Sequence, residues 1–279
     1  MPGPSPREEL FHNPQFDSGA FASSMEKKEA PRTFGIIFTP RSGSSWLTDV
    51  LSQTRLLGKP QEWFNPNFVP NITRAVNAKD LDSYLKMLRR KHKPGGFFSF
   101  EVTIYQMLRV FGSERNFLAR FPETTPLFYL TREDMVLQAI SLSKAVRTSV
   151  FHSPNASDDE IDKADTEFSY DAAEIKRWLD HVFDQEKKCE AFFSAAGLHP
   201  HRMSYEQVTA DGAEATVRRF LRVLKPEKAT ELVIPDLEPK HRKIASSRNG
   251  DYATRFREEH PEKIAEIEAF RADLPALDT

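Results

Sequence analysis

Thr39–Leu47 reads TPRSGSSWL, directly after the apolar run TFGIIF and ahead of a segment with helical patterning. Arg41 brings a fixed positive charge with fork geometry. Ser42, Ser44 and Ser45 add hydroxyl donors, and Gly43 allows close backbone approach. Where a strand enters such a loop and a helix leaves it, the helix's unpaired N–H groups and positive dipole end face outward. These residue types therefore describe an anion site. The loop does not match GxxxxGK[ST], which argues against a Mg-nucleoside triphosphate clamp. On residue types alone it equally fits a strand-to-helix turn with a serine cap and a surface arginine.

A second constellation lies in PLFYLTREDMVLQAISLSKAVRTSVFH. Arg132 follows another apolar run, and Ser141 stands nine residues later. At about 100° per residue, nine steps along a helix put the two on opposite faces. If the two share a ligand, as the family resemblance described next implies, Arg132 must sit in the turn and Ser141 on the helix. Taken singly, each also fits a bland role: an arginine pairing with nearby acids, and a polar helix position.

TPRSGSSWL resembles the 5′-phosphosulfate loop of sulfotransferases, which use 3′-phosphoadenosine-5′-phosphosulfate (PAPS) as donor. The Arg41 form, followed by GKPQEWFNP, is similar to the bacterial trehalose 2-sulfotransferase family in particular. The resemblance runs from about Thr33 to Arg257. It implies that Arg41, Ser42, Gly43, Ser44 and Ser45 hold the phosphosulfate and that Arg132 and Ser141 hold the 3′-phosphate. It also implies a basic residue at Lys144 and a closing basic loop, for which Lys243 and Arg248 in KHRKIASSRNGDYATRF align best, beside Lys240 and Arg242. Tyr205 aligns with a family tyrosine, with a packing role more in keeping with its type.

Sulfuryl transfer to an alcohol needs charge stabilisation at the leaving oxygen and a base for the hydroxyl proton. The resemblance implies Arg41 for the first and Glu62 for the second. Trp63 and Phe64 flank Glu62 and could exclude water and offer a stacking face. Glu101 departs from the family, which tends to carry Lys there; it is a second base candidate unless it points away. His152 has nothing to place it. The acceptor implied is a hydroxyl of a carbohydrate or another small polar molecule, with no metal. The segments that shape its pocket match the family poorly. A P-loop-type small-molecule kinase using Mg-ATP is the alternative.

These residues require particular elements behind them. Thr33–Phe38, GFFSFEV and PLFYL read as strands, and helical patterns alternate with them, which predicts an α/β fold: a P-loop-like parallel sheet flanked by helices on both faces. Ligands in such sheets lie beyond the carboxyl ends of the strands. Thr131 is the expected N-cap of the helix carrying Ser141. Ser153–Asp165 reads as an acidic surface loop, Tyr170–Ala196 as a long helix, and Asp211–Leu224 as one helix. Residues 1–31, rich in Pro, Ser and charge, read as a flexible N-terminal extension outside the core; residues 32–279 read as a single sulfotransferase-like domain.

Bulk properties agree with a globular enzyme. The chain has 279 residues, a net charge of -2 and 29% charged residues, which argues against nucleic-acid binding driven by overall charge. One cysteine, Cys189, excludes an intrachain disulfide and points to a reducing compartment. No stretch approaches the roughly 20 apolar residues of a membrane span, and MPGPSPREEL lacks the regions of a signal peptide, so the expectation is cytoplasmic. The resembling family forms homodimers, to which the N-terminal arm could contribute.

Overall fold

The computed structural model describes residues 7–149, 157–240 and 247–278. Strands β1 (Arg32–Phe38), β2 (Phe97–Val102), β3 (Leu127–Thr131) and β4 (His201–Ser204) form a parallel sheet in the order β2-β1-β3-β4. Helices α2 (Ser44–Thr54), α3 (Val69–Val76) and α4 (Leu81–Lys91) link β1 to β2, after a short α1 (Ser18–Met25) that precedes the sheet. Helices α5 (Ile104–Phe111) and α6 (Glu114–Leu118) lead to β3. Helices α7 (Met135–Thr148), α8 (Asp158–Glu167) and α9 (Ala172–Ala196) lead to β4. Helices α10 (Tyr205–Asp211), α11 (Ala213–Leu224), α12 (Ser247–Glu259) and α13 (Pro261–Ala272) follow.

The strands are apolar on both faces because both faces are covered. Alternation sends Phe34, Ile36, Phe38, Phe128 and Leu130 to one side, where they meet Leu47, Leu51, Phe220 and Leu221 of α2 and α11. Phe128 stacks on Phe220 with ring centroids 3.9 Å apart. Ile37, Phe98, Phe100, Val102 and Tyr129 go to the other side, against Tyr84, Phe111, Phe117 and Phe192. A third cluster holds α7, α9, α12 and α13 together through Ile140, Leu179, Phe256 and Ile267. The expected α/β class with helices on both faces is the observed one. No described helix is long and apolar enough to cross a membrane.

Four local expectations are corrected. Thr131 does not cap α7; it ends β3 and stands in register with Ser204 of β4. The cap is Asp134, whose carboxylate accepts from Leu137 N at 2.9 Å. Part of the expected acidic loop is helical: Ser157 and Glu160 form a capping box that starts α8. The helix expected from Asp211 to Leu224 begins two residues later, at Ala213: Asp211 ends the preceding α10, and Gly212, whose φ of 85° and ψ of 171° suit only glycine, separates the two. Finally, residues 7–31 are not an arm outside the core. Leu10 and Phe11 are buried in it, and Asn13 and Asp17 bond to Ala78 and Asn77.

This order puts a topological switch beside β1. The chain leaves β1 for β2 on one side and returns to β3 on the other. The carboxyl ends of β1, β2, β3 and β4 therefore open toward one edge, at Thr39, Thr103, Arg132 and Tyr205.

Candidate active site

The loop after β1 is shaped by two left-handed residues, Arg41 at φ 66° and Gly43 at φ 83°. Gly43 is required twice over. Its backbone lies in the left-handed region, and a Cβ there would come within 2.2 Å of the Tyr205 ring. Gly43 is also the N-cap of α2 and supplies no capping side chain, while its carbonyl accepts from Trp46 N and Leu47 N, both at 3.1 Å. Ser42 is fully buried, and its Oγ has no partner among the described residues. From α7, the buried Gln138 Nε2 donates to Thr39 Oγ1 and to Pro40 O, both at 2.8 Å. That amide ties the loop to the helix carrying Ser141.

Arg132 lies in the turn between β3 and α7, outside the helix, as the nine-residue spacing demands. Only 8% exposed, it places its guanidinium over the Tyr205 ring at 5.3 Å, with Nε 3.5 Å from Glu206 Oε1. Its Nη1 donates to Arg41 O at 3.4 Å. Arg41 in turn donates from Nε to Ser141 Oγ at 3.1 Å. Burial, and then the neighbouring positive charge of Arg132, bring the Arg41 guanidinium down to about 10, against the pull of Tyr205. The Arg41 guanidinium remains cationic at neutral pH. The half-buried Arg41 and the buried Arg132 thus stand side by side near the N-terminus of α2, an arrangement suited to an anion.

The remaining basic candidates are placed elsewhere. Lys144 is buried and bonds Asp165 Oδ1 at 2.6 Å. Arg248 donates to Asp165 O at 3.0 Å and Thr166 O at 3.4 Å. Both therefore meet the end of α8 rather than Arg132. Lys240 N donates to Asp49 Oδ2 of α2 at 2.7 Å. Arg242, Lys243 and His152 lie outside the described residues.

On the other side of the loop, Ser45 and Thr48 line a cavity of about 600 Å³ together with Glu62, Glu101, Phe68 and Ile72. Glu62 Oε2 accepts from Asn65 Nδ2 at 2.7 Å and from Gln106 Nε2 at 2.5 Å. Gln106 is itself fixed, since its Oε1 takes the Thr103 N–H at the start of α5. Both donors end on one oxygen; among the described residues nothing donates to Glu62 Oε1. Glu101 does not point away but lines the cavity. Burial, then the nearby Glu62 carboxylate, push its carboxyl up to about 8, opposed by a hydrogen bond from Ser44. At neutral pH the Glu101 carboxyl is therefore largely protonated.

Of the two aromatics expected beside Glu62, Trp63 lines the cavity and Phe64 does not. Phe64 is fully buried in the core, and Trp63, 5% exposed, has its Nε1 bonded to Ser99 O and its ring against His92. Phe68, 50% exposed on the cavity wall, is the available aromatic. Arg41 is not part of that wall. The loop thus has two sides: Arg41 turns to Ser141 and Arg132, while Ser44 and Ser45 turn to Glu101 and the cavity.

Sequence reasoning missed Gln106, Gln138 and Phe68. Thr103 and Gln106 form a visible capping pattern, TIYQ, but nothing local says that the same amide reaches Glu62. Among the described residues no cluster of three or more His, Cys, Asp or Glu is placed to hold a metal ion.

Residues 104–259 match the family model described as Stf0 sulphotransferase. The matched segment carries Gln106, Arg132, Gln138, Ser141 and Tyr205. The loop after β1 and Glu62 lie before it. No curated protein matches the chain.

Proposed function

We propose a donor, an acceptor class and a base for this chain, which belongs to the Stf0 sulphotransferase family and is a sulfotransferase. The donor is PAPS, and the acceptor is a hydroxyl of a carbohydrate or another small polar molecule. The observation that carries this reading is the convergence of Arg41, Arg132 and Ser141 beside the uncapped N-terminus of α2. The orphaned Ser42 Oγ adds a buried polar atom suited to a phosphate oxygen.

In this reading Arg132 and Ser141 hold the 3′-phosphate. Ser42, Gly43, Ser44 and Ser45 hold the 5′ end through N–H and hydroxyl donors, and Arg41 offsets the negative charge that develops there. The family resemblance also gives Lys144, Lys243 and Arg248 to the donor, a role that for Lys144 and Arg248 would require release from the end of α8. When bound, PAPS supplies the sulfuryl group. Glu62, oriented by Asn65 and Gln106, takes the proton of the acceptor hydroxyl at Oε1. Glu101, neutral beside it, keeps the cavity from holding two adjacent negative charges. Phe68 and Ile72 give the acceptor an apolar wall opposite the hydroxyls of Ser45 and Thr48.

Calorimetry tests the donor. The expected result is binding of 3′-phosphoadenosine-5′-phosphate and little response to Mg-ATP. Binding of Mg-ATP without the 3′-phosphorylated nucleotide overturns the reading in favour of a small-molecule kinase.

A further inference from the structure

The turn that carries Arg132 is gripped from the far end of the chain. Arg271, in the last turn of α13, donates from Nη2 to Arg132 O at 2.9 Å and from Nη1 to Glu133 O at 2.6 Å. The same guanidinium is engaged by Glu186 of α9, with Nε to Oε2 at 3.0 Å and Nη2 to Oε1 at 2.6 Å. Glu186 is 1% exposed, so this carboxylate is anchored in the interior. Planar fork geometry lets one arginine hold two carbonyls and a carboxylate at once, which a lysine cannot do.

The opposite edge of the same peptide is also held. Glu133 N donates to Glu206 Oε2 at 2.9 Å. In a trans peptide the C=O of Arg132 and the N–H of Glu133 point in opposite directions, so Arg271 and Glu206 clamp the 132–133 plane from both sides. Glu133 is fixed again by its side chain, which accepts from Ser204 Oγ at 2.6 Å. With that plane fixed, the Arg132 side chain leaves the backbone in one direction, over Tyr205 and toward Arg41.

We propose that Arg271 is a positioning residue: through the 132–133 peptide it sets the direction in which the Arg132 guanidinium meets the donor. The inference rests on the reading of Arg132 as a donor-phosphate ligand. Arg271 itself lies beyond the segment matched to the family, residues 104–259. Helix α13 thus becomes part of the donor site without touching the donor.

The test compares Arg271→Lys, Glu186→Gln and Lys263→Met with the wild type. Lys263 binds Asp180 of α9 at 2.8 Å from the same helix α13 but does not touch the turn, so its variant controls for loosening of the helix. Arg271→Lys should weaken 3′-phosphoadenosine-5′-phosphate roughly tenfold and adenosine 5′-phosphosulfate, which lacks the 3′-phosphate, by less than about twofold. Glu186→Gln should move the same ratio in the same direction, and Lys263→Met should lower Tm with the ratio unchanged. Unchanged binding by Arg271→Lys, equal weakening of both nucleotides, or the same selectivity loss in Lys263→Met overturns the inference alone. A wild type that binds neither nucleotide overturns the reading of Arg132, and this inference with it.

Discussion

Arg41 Nε donates to Ser141 Oγ at 3.1 Å, joining the loop after β1 to the middle of α7. The loop and the helix are therefore physically joined, and Arg132 joins them through its bond to Arg41 O. In the proposed reading the 3′-phosphate meets Arg132 and Ser141, and Arg41, held by both, stands at the 5′ end.

Removing the hydroxyl separates the two parts. Ser141→Ala should weaken 3′-phosphoadenosine-5′-phosphate by about 1–2 kcal/mol, and Arg132→Ala by about 2–3 kcal/mol or more, in line with charge-assisted hydrogen bonds. Calorimetry with the nucleotide lacking the 3′-phosphate checks the assignment. If both nucleotides weaken equally in Arg132→Ala, the arginine does not serve the 3′ position.

Glu62→Gln isolates the base. The amide keeps nearly the same shape but cannot take a proton. Donor affinity should stay within error, while turnover falls by about 100-fold or more. Undiminished turnover would remove Glu62 from the role and return attention to Glu101.

Glu101 makes stability depend on pH in a defined direction. Its folded carboxyl is raised to about 8 from an ordinary 4.5, so between those values the native chain holds a proton that the unfolded chain releases. The contribution is complete below the lower value and is lost as pH rises through the upper one. Glu101→Gln, neutral throughout, lacks that loss. From about pH 5 to about pH 9 the wild-type Tm should fall relative to that of Glu101→Gln. Two curves that run parallel across this range would mean that the carboxyl titrates normally.

Gly43 tests the loop's shape. Gly43→Ala must hold a left-handed backbone and move the Tyr205 ring, whose Cδ2 would stand 2.2 Å from the new Cβ. The expected cost is about 1–3 kcal/mol in denaturant unfolding, together with loss of donor binding. An unchanged midpoint would show that the loop can relax without these constraints.

Much of this molecule is readable one segment at a time. TFGIIF, GFFSFEV and PLFYL are strands in the structure because sheets covered on both faces need continuous apolar runs. The long helix α9 follows from its own periodicity. Where reading failed, two local signals competed. Thr131 and Asp134 are both good caps, and pairing with β4 took Thr131 into the sheet. The acidic stretch before Phe168 has few apolar residues to give a helical period, yet Ser157 and Glu160 form a capping box that starts a helix there.

By itself, then, the sequence determined the class of fold and the place of the loop after β1, and, once the family resemblance paired Arg132 with Ser141, it required Arg132 to stand in a turn. Those follow from propensities and spacings that act over a few residues. Only the tertiary structure decided that Arg41 turns to Ser141, that Gln106 reaches Glu62, that Glu101 faces the cavity beside it, and that Arg271 grips the Arg132 turn. Each of those contacts joins elements dozens of residues apart. The protonation of Glu101 likewise depends on burial and on a neighbouring charge, neither of which exists until the sheet and its helices have packed.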